Sequence, residues 1–315
     1  MIRATDALRS GAGPKRAERI TASLDSFPAM PGAALRLLAL MEAPGITAQQ
    51  IEGVLRQDPG LTANLLRLAN SAYFGIPTQV GSVRQAVMLL GFKRLTQMVV
   101  AACAGSLMDR PVPGYDLPAG ELWRHSLAVS VAAEGLVVEL SLQGAEEIFT
   151  AALLHDIGKI VLGRFLQGET EPIRMALERG MSFTAAEADL FGTTHAEIGA
   201  DVLAKWALPE PMIHAVRWHH SPEEAGSPQV MLDVVHVANM LCLMMGIGAG
   251  RDGLHHRPSP AATRRLGLTT AHLEKVASRT LQWVAELSQL VMEPNVQTGD
   301  LNRKASHVSE HSHRG

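Results

Sequence analysis

Residues 153–162 read LLHDIGKIVL, a histidine and an aspartate side by side inside an apolar run. Ionisable groups are costly to bury without a partner. His155 and Asp156 therefore need one, and a metal ion, a catalytic role or a hydrogen bond would each supply it. His125, His195, His214, His219, His220 and His236 also fall inside segments that read as helical. Imidazole and carboxylate together suit iron, manganese or zinc. Helices can carry such ligands inward from several directions. On a helix of about 3.6 residues per turn, adjacent side chains stand roughly 100° apart. His155 and Asp156 could thus flank one ion, or the carboxylate could bridge two. Lys159, three residues after Asp156, reads as an ordinary helical ion-pair partner. If the chain is an enzyme, Asp156 and Lys159 are its candidate catalytic residues, with Lys159 facing phosphate. His214, His255, His256, His272 and the C-terminal histidines read as exposed or incidental.

Helix signals surround these residues. Thr47-Ala-Gln-Gln50 is a capping box opening IEGVLRQ. Asp58-Pro59 reads as an N-cap followed by proline at the first helical position. Ser82-Val-Arg-Gln85 opens AVMLLG, which ends at Gly91, and GFKRLTQMVVAACAGSLM is a further apolar helix. The Pro- and Gly-rich MDRPVPGYDLPAG breaks the pattern and marks a subdomain boundary near 109–118. Beyond it come a helix around ELWRHSLAVSVAAEGLVVEL and a helix holding LLHDIGK. Capping boxes follow at Thr184-Ala-Ala-Glu187 and Thr194-His-Ala-Glu197. A helix then runs from Pro209 through IHAVRWHH, and another is MLDVVHVANMLCLMM. RDGLHHRPSP reads as a loop, before a last helix over roughly 269–292. Aromatic residues are 4% of the chain and no long alternating run occurs, so strands are not expected. The fold class is all-α, with two packed helical subdomains. The expected organisation is a flexible tail over 1–19, subdomains over 20–108 and 119–245, a helical extension over 246–293 and a disordered tail over 294–315.

Taken together, His125, His155-Asp156 in LLHDIGKIVL, His195 in THAEIG and His219-His220 in WHHSP resemble the HD superfamily of metal-dependent phosphohydrolases. The earlier FPAMPGAALRLLALM, IEGVLRQDPGLTANLLRLANSAYFG and VRQAVMLLGFKRL resemble the HDOD family specifically, an offshoot found in bacterial signalling and regulatory proteins. The resemblance covers roughly residues 20–245. It implies a metal site with His125, His155 and Asp156 as ligands, and a later aspartate in the helix DVVHVANML. The aligned position there is His236, with Asn239 one turn on and Asp233 one turn earlier. The HD-GYP relatives, which hydrolyse a cyclic dinucleotide, continue after His-His with an acidic residue and a Gly-Tyr-Pro motif. This chain reads HHSPEEAGSPQ instead. The candidate metal ligands are therefore His125, His155, Asp156, His195, His219, His220 and His236. Replacing an anionic ligand by imidazole weakens the hold on two cations and removes a base, so weak or absent turnover is expected.

Composition narrows the classes. A net charge of −3 gives no basic footprint for nucleic acid. P-loop and G-x-S-x-G motifs are missing from the sequence. Cys103 and Cys242 lie in apolar runs without C-x-x-C spacing, as buried thiols of a reducing compartment do. The first residues have no apolar core of a signal peptide, and no uncharged apolar run reaches the ~18 residues that span a bilayer. The expectation is a cytoplasmic HDOD-type regulatory module that binds a signalling protein, or a nucleotide as ligand, with a retained or vestigial iron, manganese or zinc site. The competing expectation is a metal-dependent phosphohydrolase acting on a nucleotide or cyclic dinucleotide.

Overall fold

Polar caps start several helices where the sequence places them. The Thr47 side chain accepts from the Gln50 N–H, and Gln50 accepts from the Thr47 N–H in return, opening α3 (Ala48–Leu55). Asp58 caps α4 (Pro59–Ala69) and Ser82 caps α5 (Val83–Met108). Each such cap satisfies N–H groups that the first turn leaves without partners, for about 1 kcal/mol. α5 is broken at Gly91, whose φ of 75° is a left-handed conformation that side chains resist. Its two arms diverge by 117° there. The computed structural model describes residues 12–30, 32–41, 45–70, 76, 78–143, 145–227, 229–248 and 250–292. The expected disordered tail over 294–315 and part of the LANSAYFG motif (71–75) lie outside them.

Among the described residues the structure has fifteen α-helices and no strand; Val112 and Leu117 form one isolated bridge. The first layer comprises α2 (Gly32–Met41), α3 and α4, all packed on α5. α5 in turn packs on α6 (Glu121–Glu139) and α7 (Ala145–Leu154), joining the two subdomains. In the second, α6 runs against α7, α13 (Val230–Met244) and α15 (Thr270–Met292). α12 (Glu210–Trp218) closes over α7 and α13, and α11 (His195–Lys205) lies on α12 and α8 (Lys159–Leu166). α1 (Ala12–Ser23) starts inside the segment expected to be a tail. It packs on α8 and α10 (Phe183–Phe191), with Arg16 3.0 Å from Glu169. No single helix among the described residues is long and apolar enough to cross a membrane.

α6 and α13 are buried on nearly every side, as helices at the centre of a large core are. Each buried leucine, isoleucine or valine contributes about 1.5–3 kcal/mol. Such helices also bring polar residues inside: His125 on α6, and Asp233, His236 and Asn239 on α13. Buried polar groups are tolerated only with partners, so each must be accounted for.

Candidate metal centre

The His155-Asp156 pair sits in the turn between α7 and α8 rather than within one continuous helix. The turn fits because residue 158 is glycine. A Cβ there would lie 2.0 Å from the His195 carbonyl oxygen. Close approach of the turn to α11 thus delivers His155, Asp156 and His195 to one point. His219 arrives in the same way as His155. Both follow the C-terminal end of a helix, and both donate from Nδ1 to a carbonyl three residues back: His155 to Ala152 at 2.7 Å, His219 to Val216 at 2.6 Å. His125 donates from Nδ1 to the Ile247 carbonyl at 2.9 Å. The Nδ1 of His195 lies 2.8 Å from the Glu187 carboxylate. A carbonyl can only accept, so Nδ1 carries the proton in the first three, and Nε2 of His155 and His219 is left bare.

All four Nε2 atoms face Asp156. On one side of the carboxylate, Oδ2 lies 3.2 Å from His155 and 3.5 Å from His125. On the other, Oδ1 lies 3.3 Å from His195 and 3.7 Å from His219. The half-buried His220 adds its Nε2, 2.9 Å from that of His195. The His155 and His219 Nε2 atoms and Asp156 Oδ1 are buried without a hydrogen-bond partner. Orphaned lone pairs aimed at one point, each ring fixed from behind, form the arrangement that metal ligands adopt. Two donor groups could hold a metal ion: Asp156 with His195, His219 and His220, and Asp156 with His125 and His155.

Electrostatics separates these rings. Burial pushes His125 down to about 4 and His219 down to about 3, and lowers His220 well below its ordinary value, so all three are neutral at pH 7. His195 goes the other way. Burial opposes its charge most strongly, yet Glu187 and Asp156 together raise it to about 9. Burial disfavours the Asp156 carboxylate too, but His155 and Lys159 hold it well below the usual range.

His236 does not join the cluster, although the sequence marked it as a ligand. Its Nδ1 donates to the His219 carbonyl at 2.7 Å, and its Nε2 accepts the Ser259 N–H at 2.8 Å. With both ring nitrogens engaged, it braces the His219 turn. Asp233 is also turned aside, accepting two hydrogen bonds from Arg265. From α13 only Asn239 reaches the site, its amide oxygen Oδ1 3.1 Å from His125 Nε2.

Lys159 does not face solvent. It is buried, its Nζ 2.7 Å from Asp156 Oδ2 and 2.6 Å from Asp252 Oδ2, above the Tyr115 ring. Asp252 comes from the loop that reads RDGLHHRPSP, and so does His256. The His256 side chain is buried rather than incidental, 3.3 Å from Asp252 and stacked on His220 at 3.9 Å. Glu187 is a further correction. Ser182 caps α10, so Glu187 belongs to no capping box; it is fully buried, accepting from the His195 N–H and the Tyr115 hydroxyl. A polar cavity of about 260 Å³ opens beside His220 and His256, with Ser182, Thr184, Glu223 and Arg257 on its walls.

A model of the HDOD domain matches residues 27–222. The chain belongs to the HDOD family. Among solved structures, an HDOD domain protein of unknown function from Geobacter sulfurreducens shares the fold at a TM-score of 0.66 and 24% identity, over 89% of this chain and 94% of that one. A protein provisionally named a phosphohydrolase, from Shewanella amazonensis, does so at 0.67 and 22%, over 86% and 97%. These two likenesses concern the fold. An uncharacterized protein of Treponema pallidum is 27% identical over 229 residues, 72% of this chain, and this chain covers only 44% of that protein's length. The HDOD match spans Asp156 and every histidine of the converging set, but ends before Asn239 and Asp252.

Proposed function

We propose that this HDOD chain is a cytoplasmic bacterial signalling module. It holds a divalent ion of the iron, manganese or zinc type and acts by binding a partner protein or a small ligand such as a nucleotide, without hydrolytic turnover. The observation that carries this reading is the fate of the acids around Asp156. Asp252 is committed to Lys159 and His256, Glu187 to His195 and Tyr115, and Asp233 to Arg265. The remaining position, on α13, holds the neutral Asn239. Hydrolysis of a phosphoester needs a group that accepts the proton of an attacking water. Among the described residues each of these acids is already engaged by a cationic or hydrogen-bonding partner, with only Asp156 Oδ1, which faces the imidazoles, and Asp252 Oδ1 left without one. A bound divalent ion supplies fixed positive charge and Lewis acidity there. His125, His155, His195 and His219 are held by their Nδ1 contacts, so their Nε2 donors are preorganised for a cation. The half-buried His220 and the polar cavity beside it give a small anionic or polar ligand a route to that charge. A net charge of −3, and the lack among the described residues of a single helix long and apolar enough to cross a membrane, favour neither nucleic acid nor a bilayer as partner.

Elemental analysis of purified protein, followed by assay of cyclic dinucleotide hydrolysis with added manganese, tests the reading. Bound metal without turnover is expected. Turnover that disappears in Asp156→Ala would overturn it in favour of a phosphohydrolase.

A further inference from the structure

The Asp156 carboxylate offers two oxygens to two groups of imidazoles, which on donor count alone makes room for two ions. The two sides are not equivalent. Oδ1 faces His195 and His219 and has no hydrogen-bond partner. Oδ2 faces His125 and His155 and already accepts from the Lys159 ammonium at 2.7 Å. That ammonium is gripped from its far side by Asp252 Oδ2 at 2.6 Å, and all three residues are buried. A cation thus already lies between two buried carboxylates on the Oδ2 side.

We infer that Lys159 is this site's second cation. The chain binds one divalent ion, on the Oδ1 side with His195, His219 and His220, while the ammonium fills the electrostatic role of a second ion beside His125 and His155. This rests on the reading that the cluster binds metal at all. Charge balance supports it. Asp156, Asp252 and Glu187 place three negative charges in the buried cluster. A ligating imidazole must give up its proton, His195 included, so with the imidazoles neutral Lys159 and one bound divalent ion supply three positive charges. A second divalent ion would leave two charges uncompensated in a low-dielectric interior, which is strongly unfavourable. It would also have to share Oδ2 with an ammonium already in contact.

Metal-stripped protein reloaded with Mn(II) or Zn(II) and desalted gives the stoichiometry by elemental analysis. The wild type is expected to bind one ion per chain, and its Mn(II) spectrum in electron paramagnetic resonance is expected to be that of an isolated ion. Lys159→Met, which removes the ammonium and frees Asp252, is expected to bind two, with an exchange-coupled spectrum. Two ions or a coupled spectrum in the wild type would overturn the inference while leaving metal binding intact; one ion in both proteins would also overturn it. No ion in the wild type would sink the underlying reading as well. If Lys159→Met does not fold, two other variants decide. His219→Ala should lose the ion and His125→Gln should keep it, and the reverse pattern would place the ion on the Oδ2 side and end the proposal.

Discussion

The Glu187 carboxylate receives both the backbone N–H of His195, at 3.0 Å, and contact from its Nδ1, at 2.8 Å. One acid thus fixes the start of α11 and the orientation of a candidate ligand, and the Tyr115 hydroxyl at 2.6 Å fixes the acid. Removing its charge while keeping its shape should loosen the ring and make its outer nitrogen a poorer donor. Glu187→Gln is expected to weaken Zn(II) affinity roughly 10–100-fold. Competition with a chromophoric chelator reads this directly, with circular dichroism as the control for folding. Unchanged affinity would show that the contact serves only to build α11.

The neutral buried histidines make the metal-free protein sensitive to acid. His125 and His219 fall from 6.5 to about 4 and about 3 on folding, chiefly through burial. The unfolded chain therefore binds more protons than the native state as pH falls below about 6.5. Their contribution to stability is complete above that value and is lost on the way down to the folded values. Each group removes about 1.4 kcal/mol per pH unit inside the window. His195, raised to about 9, acts elsewhere: its contribution is complete below 6.5 and is lost as pH rises through 9. Urea unfolding in a chelating buffer should show a midpoint that drops markedly from pH 7 to pH 5.5. A flat profile would mean these rings are solvated.

The fold and the site differ in how readily the chain displays them. Caps and apolar periodicity are local, so the helices around Thr47, Asp58, Ser82 and Thr194 are readable from a few residues each. The convergence of His125, His155, Asp156, His195, His219 and His220 is carried by motif spacing. The supporting acids are not readable in that way. Glu187 looked like the last member of a capping box, because Thr184 stands three residues before it. The true cap is Ser182, two residues earlier, which leaves Glu187 free to turn inward. Asp252 lies in a stretch with every mark of a surface loop, and only tertiary packing against Tyr115 and Lys159 buries it. One local signal pointed there: a lysine in an apolar run, already next to one buried acid, fits the need for a second. His236 has the residue type of a ligand, and nothing in its surroundings along the chain reveals that the His219 carbonyl and the Ser259 amide occupy it.

That difference between bracing and binding can be measured. His236→Ala removes an acceptor from Ser259 and a donor from the His219 carbonyl, both in buried surroundings. Leaving such groups unsatisfied costs about 1–3 kcal/mol each. The variant should unfold at lower urea while still loading metal at the wild-type ratio when assayed well below its midpoint. Loss of the ion with little loss of stability would return His236 to the list of ligands.

Asn239→Asp tests the missing acid itself. The Asn239 amide is buried 3.1 Å from His125 Nε2, and His125 is neutral at pH 7. A new carboxylate there has no cation to meet, since Lys159 is already shared by Asp156 and Asp252. The metal-free variant should therefore be less stable than the wild type by several kcal/mol, as uncompensated buried charge is. Two relaxations compete to relieve it: protonation of the aspartate, or capture of a cation between His125, His155 and the new acid. The second predicts a larger rise in thermal midpoint on adding Mn(II) than the wild type shows, because ligand binding to the native state alone stabilises it in proportion to RT ln(1 + [L]/Kd). It also supplies the carboxylate whose absence underlies the expected lack of turnover, so manganese-dependent phosphodiesterase activity should be sought in this variant first. Equal metal-induced shifts in variant and wild type would show that the α13 position does not face the ion, and that the neutrality of Asn239 is not what keeps the site silent.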